Sequence, residues 1–315
     1  MDPLAHRLRT EATKALWIKQ GQRMVVSLSG GADSTALACI LSAWQPKLGL
    51  ELYLVHFNHQ IREESAAEQR FCEELADKLG LDLECFSPEE RMPNLGMQDA
   101  ARQWRRRVLT EVADRREAEY IVLAHHQDDL AETMLWRILR GTSVLGLSPM
   151  VPLEGRWFRP LLGERKQVLI QYLQRIGQGW MEDQSNQKND YLRNRIRNQL
   201  VPLLDELAGT DISPKLAKLS EESLGLTEYF NQLVPPSLWQ SPALKFKDLL
   251  GLPKVYALEL VHQFLLFQGC EGINQGQLHT VLDLVNQGKG GWQVSLSSNK
   301  IAKGAKGLVQ VEFDG

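Results

Sequence analysis

Residues 24–34 read MVVSLSGGADS. The short apolar run Met24–Leu28 breaks into a turn with two glycines and an acid, and the apolar stretch Thr35–Trp44 follows at helical length. Strand, Gly-rich turn and helix in that order line up backbone N–H groups at a helix N-terminus, and the glycines let a ligand approach them closely. Such a nest suits an anion. Ser29 and Ser34 can add hydroxyl donors, Gly30, Gly31 and Ala32 shape the turn, and Asp33 can hold a magnesium ion that bridges phosphates. No Gly-Lys-Ser/Thr follows, so the loop is not a Walker A motif. The plain alternative is a Gly-Gly turn in which Asp33 or Ser34 caps the helix.

Outward from this turn the same rhythm repeats. Leu50–Phe57 precedes the amphipathic stretch Glu64–Leu79, Leu81–Phe86 precedes Gln98–Glu117, and Tyr120–Ala124 precedes Asp129–Arg140. Strands alternating with helices of this length predict an α/β fold with a doubly wound parallel sheet, whose ligands sit beyond the carboxyl ends of the strands. After Arg140 the pattern breaks. A Gly/Pro-punctuated loop spans Gly141–Pro160, and helices follow at Glu164–Ile176 and Asp190–Leu204. Leu216, Leu219, Leu226, Phe230 and Leu233 then recur at helical spacing before Pro235-Pro236. The remainder reads as a smaller α+β module, with helices at Tyr256–Gln268 and Gln275–Asn286 and a hairpin of Trp292–Ser297 with Gly307–Phe313. The expected division is a catalytic domain over 1–205, a linker helix over 206–236 and a C-terminal domain over 237–315.

The polar residues after each strand are the site candidates. His56 and His59 close the second strand without the further ligands a zinc site needs, which favours nucleotide contact or a structural role. Arg102, Arg105, Arg106 and Arg107 crowd the helix after the third strand, either as a solvated face or as contacts for a triphosphate or RNA backbone. The fourth strand ends in His125, His126, Asp128 and Asp129, with Glu132 one turn on. Asp129 and Glu132 share a helix face. Capping accounts for one carboxylate, but three carboxylates and two histidines at a ligand-binding edge suit a cationic amine or a metal–phosphate group.

Several blocks resemble known families. SGGADS is similar to the pyrophosphate loop of the ATP pyrophosphatase (PP-loop) superfamily, whose Rossmann-like fold the resemblance implies. HFNHQIR, with Arg62 in final position, HHQDDLAET, LRG with GLSPM, RPLL at Arg159–Leu162, DQSN at Asp183–Asn186 and YLRNRIR at Tyr191–Arg197 resemble, in order, the blocks of tRNA(Ile)-lysidine synthetases. The arginine block departs from the family pattern, with Gln98 for Glu and Arg106 for Tyr.

The resemblance implies ATP as cosubstrate with Mg2+, free L-lysine, and a tRNA(Ile) with a CAU anticodon as partners. The wobble cytidine would be adenylated on its C2 oxygen, and lysine would then displace AMP to form lysidine. On this reading Ser29, Gly30, Gly31, Ala32, Ser34 and His56 bind ATP, and Asp33 also carries the metal. Arg105 and His125 face charge developing at the α-phosphate. Asp129 and Glu132 receive lysine, while Asn186 and Arg197 complete the catalytic set. Trp104, Trp157, Phe158 and Tyr191 are candidates to stack on a base, each set against the commoner fate of an aromatic side chain in the core. Lys300, Lys303 and Lys306 are candidates for phosphate contacts in a tRNA-gripping C-terminal domain. A tRNA thiolase of the same superfamily and a non-catalytic nucleotide-binding module are the competing readings.

Composition sets the bounds. The chain has 315 residues, 43% hydrophobic and 24% charged, as an ordinary globular protein does. Four scattered cysteines without a CxxC argue against a disulfide scaffold or a zinc ribbon. The N-terminus alternates charge with Leu4, Leu8, Ala12 and Leu16, which reads as an amphipathic helix, not a signal peptide. A cytoplasmic setting with no membrane partner is expected, and a homodimer is compatible with the chain. A net charge of −3 excludes a uniformly basic RNA binder but conceals local bias. Residues 60–90 carry ten acids against three bases, whereas 91–116 carry seven bases against three acids and 156–200 nine against four. A basic side on an acidic body follows.

Overall fold

The computed structural model describes residues 1–58, 65–88, 97–182, 192–270, 272–288, 290–296 and 299–313. The readings placed on His59, Arg62, Asp183, Gln184, Ser185, Asn186, Tyr191 and the side chain of Gln98 lie outside the described residues. Contacts divide the chain into two compact units, one of residues 1–132 and 150–217 and one of residues 133–149 and 218–315.

The first unit is built on β1 (Arg23–Ser27), β2 (Glu51–Phe57), β3 (Asp82–Phe86), β4 (Tyr120–Val122), β5 (Leu153–Glu154) and β6 (Trp157–Phe158), in the order β3-β2-β1-β4-β6-β5. All neighbours pair parallel except β5 with β6. The expected doubly wound sheet is therefore present, with one addition. Trp157–Phe158, read from sequence as loop, supplies a fifth parallel strand beside β4. Two residues are too few to show a period.

Period-two alternation along β1 explains its two-sided burial. Met24 and Val26 join the core under α1 (Pro3–Lys14), α2 (Ala32–Leu48), α3 (Ser65–Leu79) and α6 (Lys166–Arg175). Val25 faces the core under α4 (Met97–Arg115). Trp44 is fully buried, and its indole N–H donates to the Ala5 carbonyl at 2.7 Å, tying α2 to α1. Truncating a side chain of that size costs about 3–5 kcal/mol. The helix α1 stops at Lys14, so Leu16 does not continue its buried face and is exposed. Phe158 is also fully buried, packed against Trp17 and Tyr120, and this corrects its reading as a base-stacking residue.

After α6 the chain enters α7 (Leu192–Arg195), a π turn (Ile196–Leu200) and α8 (Val201–Ala208), and α9 (Ser213–Leu233) ends in the second unit. That unit adds α10 (Phe246–Leu249), α11 (Lys254–Phe267) and α12 (Gln275–Asn286). Its antiparallel sheet joins β7 (Leu244–Lys245), β8 (Trp292–Ser295), β9 (Lys300–Ala305) and β10 (Leu308–Phe313) in the order β7-β10-β9-β8. The expected hairpin is thus a three-strand meander, because β9 inserts between the two segments first paired by pattern. Glycine is required at 304, since the Trp292 indole lies where a Cβ would stand. Lys300 is also corrected: its ammonium donates to the carbonyls of Gln268 (2.7 Å) and Gly269 (2.8 Å). Lys303 pairs with Glu312, and Lys306 is exposed at the β9–β10 turn. Among the described residues no helix is long and apolar enough to cross a membrane.

Candidate active site

β1 lies between β2 and β4, and the chain winds outward from it in both directions. The crevice beyond the carboxyl ends of β1 and β4 is the topological switch point where such sheets bind ligands. The Ser29–Ser34 loop and the His125–Glu132 segment meet there.

The loop's shape is fixed by its own hydroxyls. Ser34 Oγ accepts from the Ser29 N–H at 3.1 Å and donates to the Gly31 carbonyl at 3.1 Å, with Ser29 Oγ 3.0 Å away. Thr35 Oγ1 and the Met181 N–H both donate to the Gly30 carbonyl, at 3.1 and 2.9 Å. Gly30 has φ +86°, and a Cβ on it would touch Cys72 Sγ and Phe71 Cδ1 at 3.4 Å each. A left-handed residue with a side chain costs about 1–2 kcal/mol, so glycine is the natural occupant. Ser34 and Gly30 therefore shape the loop, while Ser29, Gly31, Ala32 and Asp33 line a cavity of about 620 Å³.

That volume is ample for a nucleotide. His56 and Phe57 from β2 and Arg105 from α4 close other walls. His56 is buried, its Nδ1 3.0 Å from the Leu28 carbonyl and its Nε2 without a partner. Burial and the neighbouring Arg102 push the Arg105 guanidinium below its usual range. Sequence reasoning missed Lys166, Ile170, Trp180, Met181 and Glu182, which also line the cavity. They come from α6 and the segment after it, where no motif sets them apart. Lys166 Nζ stands 3.7 Å from Asp33 Oδ2.

Two adjacent histidines take opposite charge states. His126 is buried, with Nε2 3.4 Å from both Asp33 Oδ2 and Asp129 Oδ2 and Nδ1 3.5 Å from Asp128 Oδ2. Burial disfavours its imidazolium, but these carboxylates outweigh burial and push its pKa up to about 10. His125 is pushed down to about 4 by burial, which together with Arg159, Arg193 and Arg102 outweighs the pull of Asp129. One is a cation at neutral pH and the other is not.

The carboxylates divide by partner. Asp128 accepts from Arg165 Nε at 2.9 Å and the Lys166 N–H at 2.8 Å, so it anchors α6, and its carboxyl lies well below the usual range despite burial. Asp129 accepts the His126 N–H at 3.1 Å and lies 3.5 Å from Arg193 and 3.4 Å from Arg197. Glu132 is buried and held by Arg197 through Nε (2.5 Å) and Nη2 (2.9 Å), with Arg193 Nε at 3.4 Å. Burial disfavours the Arg197 cation, yet Glu132 and Asp129 raise its pKa above the ordinary arginine value. Asp33 is different. Burial raises its pKa, His126, Lys166 and Arg197 lower it further than burial lifts it, and Oδ1 is buried without a partner.

Of the aromatic candidates, Trp104 packs edge-on against Phe57 at 5.1 Å, and Trp157 lies under the Arg106 guanidinium at 4.2 Å. Three of the four cysteines are buried. Burial pushes the Cys39 thiol to about 11 and the Cys72 thiol to about 12, which leaves neither a ready nucleophile. Among the described residues no three His, Cys, Asp or Glu side chains are grouped to hold a metal by themselves. Nothing here favours sulfur chemistry.

The PP-loop domain model of the ATP-binding family matches residues 4–204. A tRNA(Ile)-lysidine synthase of Thermosynechococcus vestitus is 32% identical over 299 residues, covering 92% of this chain and 86% of that protein. One from Geobacter sulfurreducens is 37% identical over 228 residues, covering 70% of this chain and 48% of that protein. The U34-tRNA thiolase of Methanococcus maripaludis, solved with its [4Fe-4S] cluster, has a TM-score of 0.57 at 13% identity. It covers 71% of this chain and 80% of that one, and shows the shared fold. With a pyrophosphate loop, a carboxylate–arginine cluster at the same sheet edge and relatives of this kind, the chain belongs to the tRNA(Ile)-lysidine synthase family of PP-loop ATP-dependent enzymes.

Proposed function

We infer that the protein ligates lysine to C2 of the wobble cytidine of a tRNA(Ile) with a CAU anticodon, at the expense of ATP. The observation that carries this reading is the double contact of His126 Nε2, 3.4 Å from Asp33 on the phosphate side and 3.4 Å from Asp129 on the amine side. One imidazolium couples a nucleotide-cleaving loop to a carboxylate pair suited to an amine.

In the first step the cytidine C2 oxygen bonds to the α-phosphorus and pyrophosphate leaves. The Ser29–Ser34 loop would receive the leaving pyrophosphate at the cavity wall it lines, where Arg105 and Lys166 supply positive charge. Asp33 suits a magnesium ion, because its buried Oδ1 is an oxygen donor with no hydrogen-bond partner among the described residues. Such an ion would offset phosphate charge and take its other ligands from phosphate and water. In the second step the lysine ε-nitrogen bonds to C2, the C2–O bond breaks, AMP departs with the oxygen, and the amine gives up a proton. His125, held neutral and with a buried unpartnered Nδ1, can donate or accept a hydrogen bond here but brings no positive charge. Asp129 and Glu132 receive the amine by exchanging contacts with Arg193 and Arg197. The second unit, with Lys306 exposed, would engage the tRNA body. The free, largely buried cysteines suit a reducing cytoplasm.

The test is AMP and pyrophosphate release from ATP with CAU-anticodon tRNA(Ile), with and without lysine. Lysine-dependent AMP release with lysine retained on the tRNA supports the reading. Sulfur incorporation, or nucleotide binding without turnover, sinks it.

A further inference from the structure

Free lysine brings an α-carboxylate as well as amines, and Asp129 and Glu132 repel it. A place for that anion lies on the neighbouring strand end. Arg159 directly follows β6, and β6 pairs with β4, which leads to His125. Arg159 is only 5% exposed, a rare state for a guanidinium. Its Nη1 donates to the Val151 carbonyl at 3.0 Å, and its Nη2 reaches Glu154, whose side chain is 67% exposed, at 3.2 Å. Its Nε is buried with no partner among the described residues, and so is His125 Nδ1. Two unpaired buried nitrogens on adjacent strand ends are costly unless a ligand meets them.

We propose that Arg159 and His125, with Arg102 at the rim, form the pocket for the α-carboxylate of the amino-acid substrate. This rests on the reading of lysine as the amine donor. Arg193 lies 3.5 Å from Asp129, and Arg159 directly follows the strand paired with the one that leads to His125 and Asp129, so cationic groups border the amine-binding carboxylates. One small zwitterion can therefore satisfy both. An RNA phosphate is the other anion within this chemistry, but it has no use for Asp129 alongside.

The experiment compares lysine with 1,5-diaminopentane, which is lysine without its carboxylate, in tRNA-dependent AMP release. The natural protein should prefer lysine by about 10- to 100-fold in kcat/KM, the range of a charge-assisted hydrogen-bond pair. Arg159→Gln should raise the lysine KM about tenfold or more. It should leave diamine kcat/KM within about twofold and the KM values for ATP and tRNA unchanged. Arg102→Gln should show a weaker version of the same pattern, and it stands in if the buried arginine proves necessary for folding. Equal use of both amines by the natural protein overturns the proposal, as do variants that lose both donors alike or that raise the KM for tRNA instead. Absence of any lysine-dependent AMP release overturns the functional reading as well, whereas lysine use without discrimination overturns this pocket alone.

Discussion

At the end of β1 the chain presents a glycine turn held by its own hydroxyls and one carboxylate whose Oδ1 has no partner among the described residues, while at the end of β4 it presents carboxylates already engaged by guanidinium groups. On the proposed function, the first region would take an anion that arrives with its own counter-ion. The second has its carboxylates paired with arginines, so an amine would exchange partners with Arg193 or Arg197. Different costs follow: the phosphate side depends on geometry, and the amine side on competition.

The comparison can be broken by substitution. Asp33→Asn should lower pyrophosphate release by about 10²–10³-fold. Steady-state release within tenfold of the natural rate would show that the carboxylate does not serve the phosphate side. Glu132→Gln should cut kcat/KM for lysine by about 10- to 100-fold while leaving ATP affinity within about threefold. Equal loss of both, measured by calorimetric nucleotide titration beside kinetics, removes the division between the two regions. Gly30→Ala should weaken ATP binding by about 1–2 kcal/mol through its left-handed conformation, with the lysine KM unmoved.

The smallest effect to measure is also the sharpest. In nitrogen-resolved NMR spectra of the nucleotide-free protein, His125 should titrate near 4 and His126 near 10. The linkage has opposite signs. His125, lowered on folding, contributes stability that is full above about pH 6.5 and is lost as pH falls toward 4. His126, raised on folding, contributes stability that is full below about pH 6.5 and is lost as pH rises through about 10. Two rings titrating together would erase the contrast.

Much of this architecture was legible because it is periodic or punctuated. Met24–Leu28 and Leu50–Phe57 announce strands by apolar runs, and SGGADS announces its turn by glycine. The cluster at His125–Glu132 is local in sequence and so was readable as a unit. What stayed hidden depends on long-range contact. Lys166 and Trp180 reach the cavity only once α6 has packed, and β6 is too short to carry a pattern. Nor does any residue type mark which of two adjacent histidines will be a cation, since that follows from carboxylates brought in by the fold.

The π turn Ile196–Leu200 holds one residue more than an α-helix would use, and the Val201 N–H reaches back to the Ile196 carbonyl. Arg197 lies inside it, on Glu132, and Pro202 follows at the start of α8. For the gene, this makes a short stretch with a single buried residue, Ile196, unusually sensitive to its reading length. Loss of one codon here would restore an α-helical register and turn one side against the other by about 100°. Either Arg197 would leave Glu132 or the helix that follows would be turned about its axis, so a deletion here costs more than a substitution of an exposed residue such as Gln199.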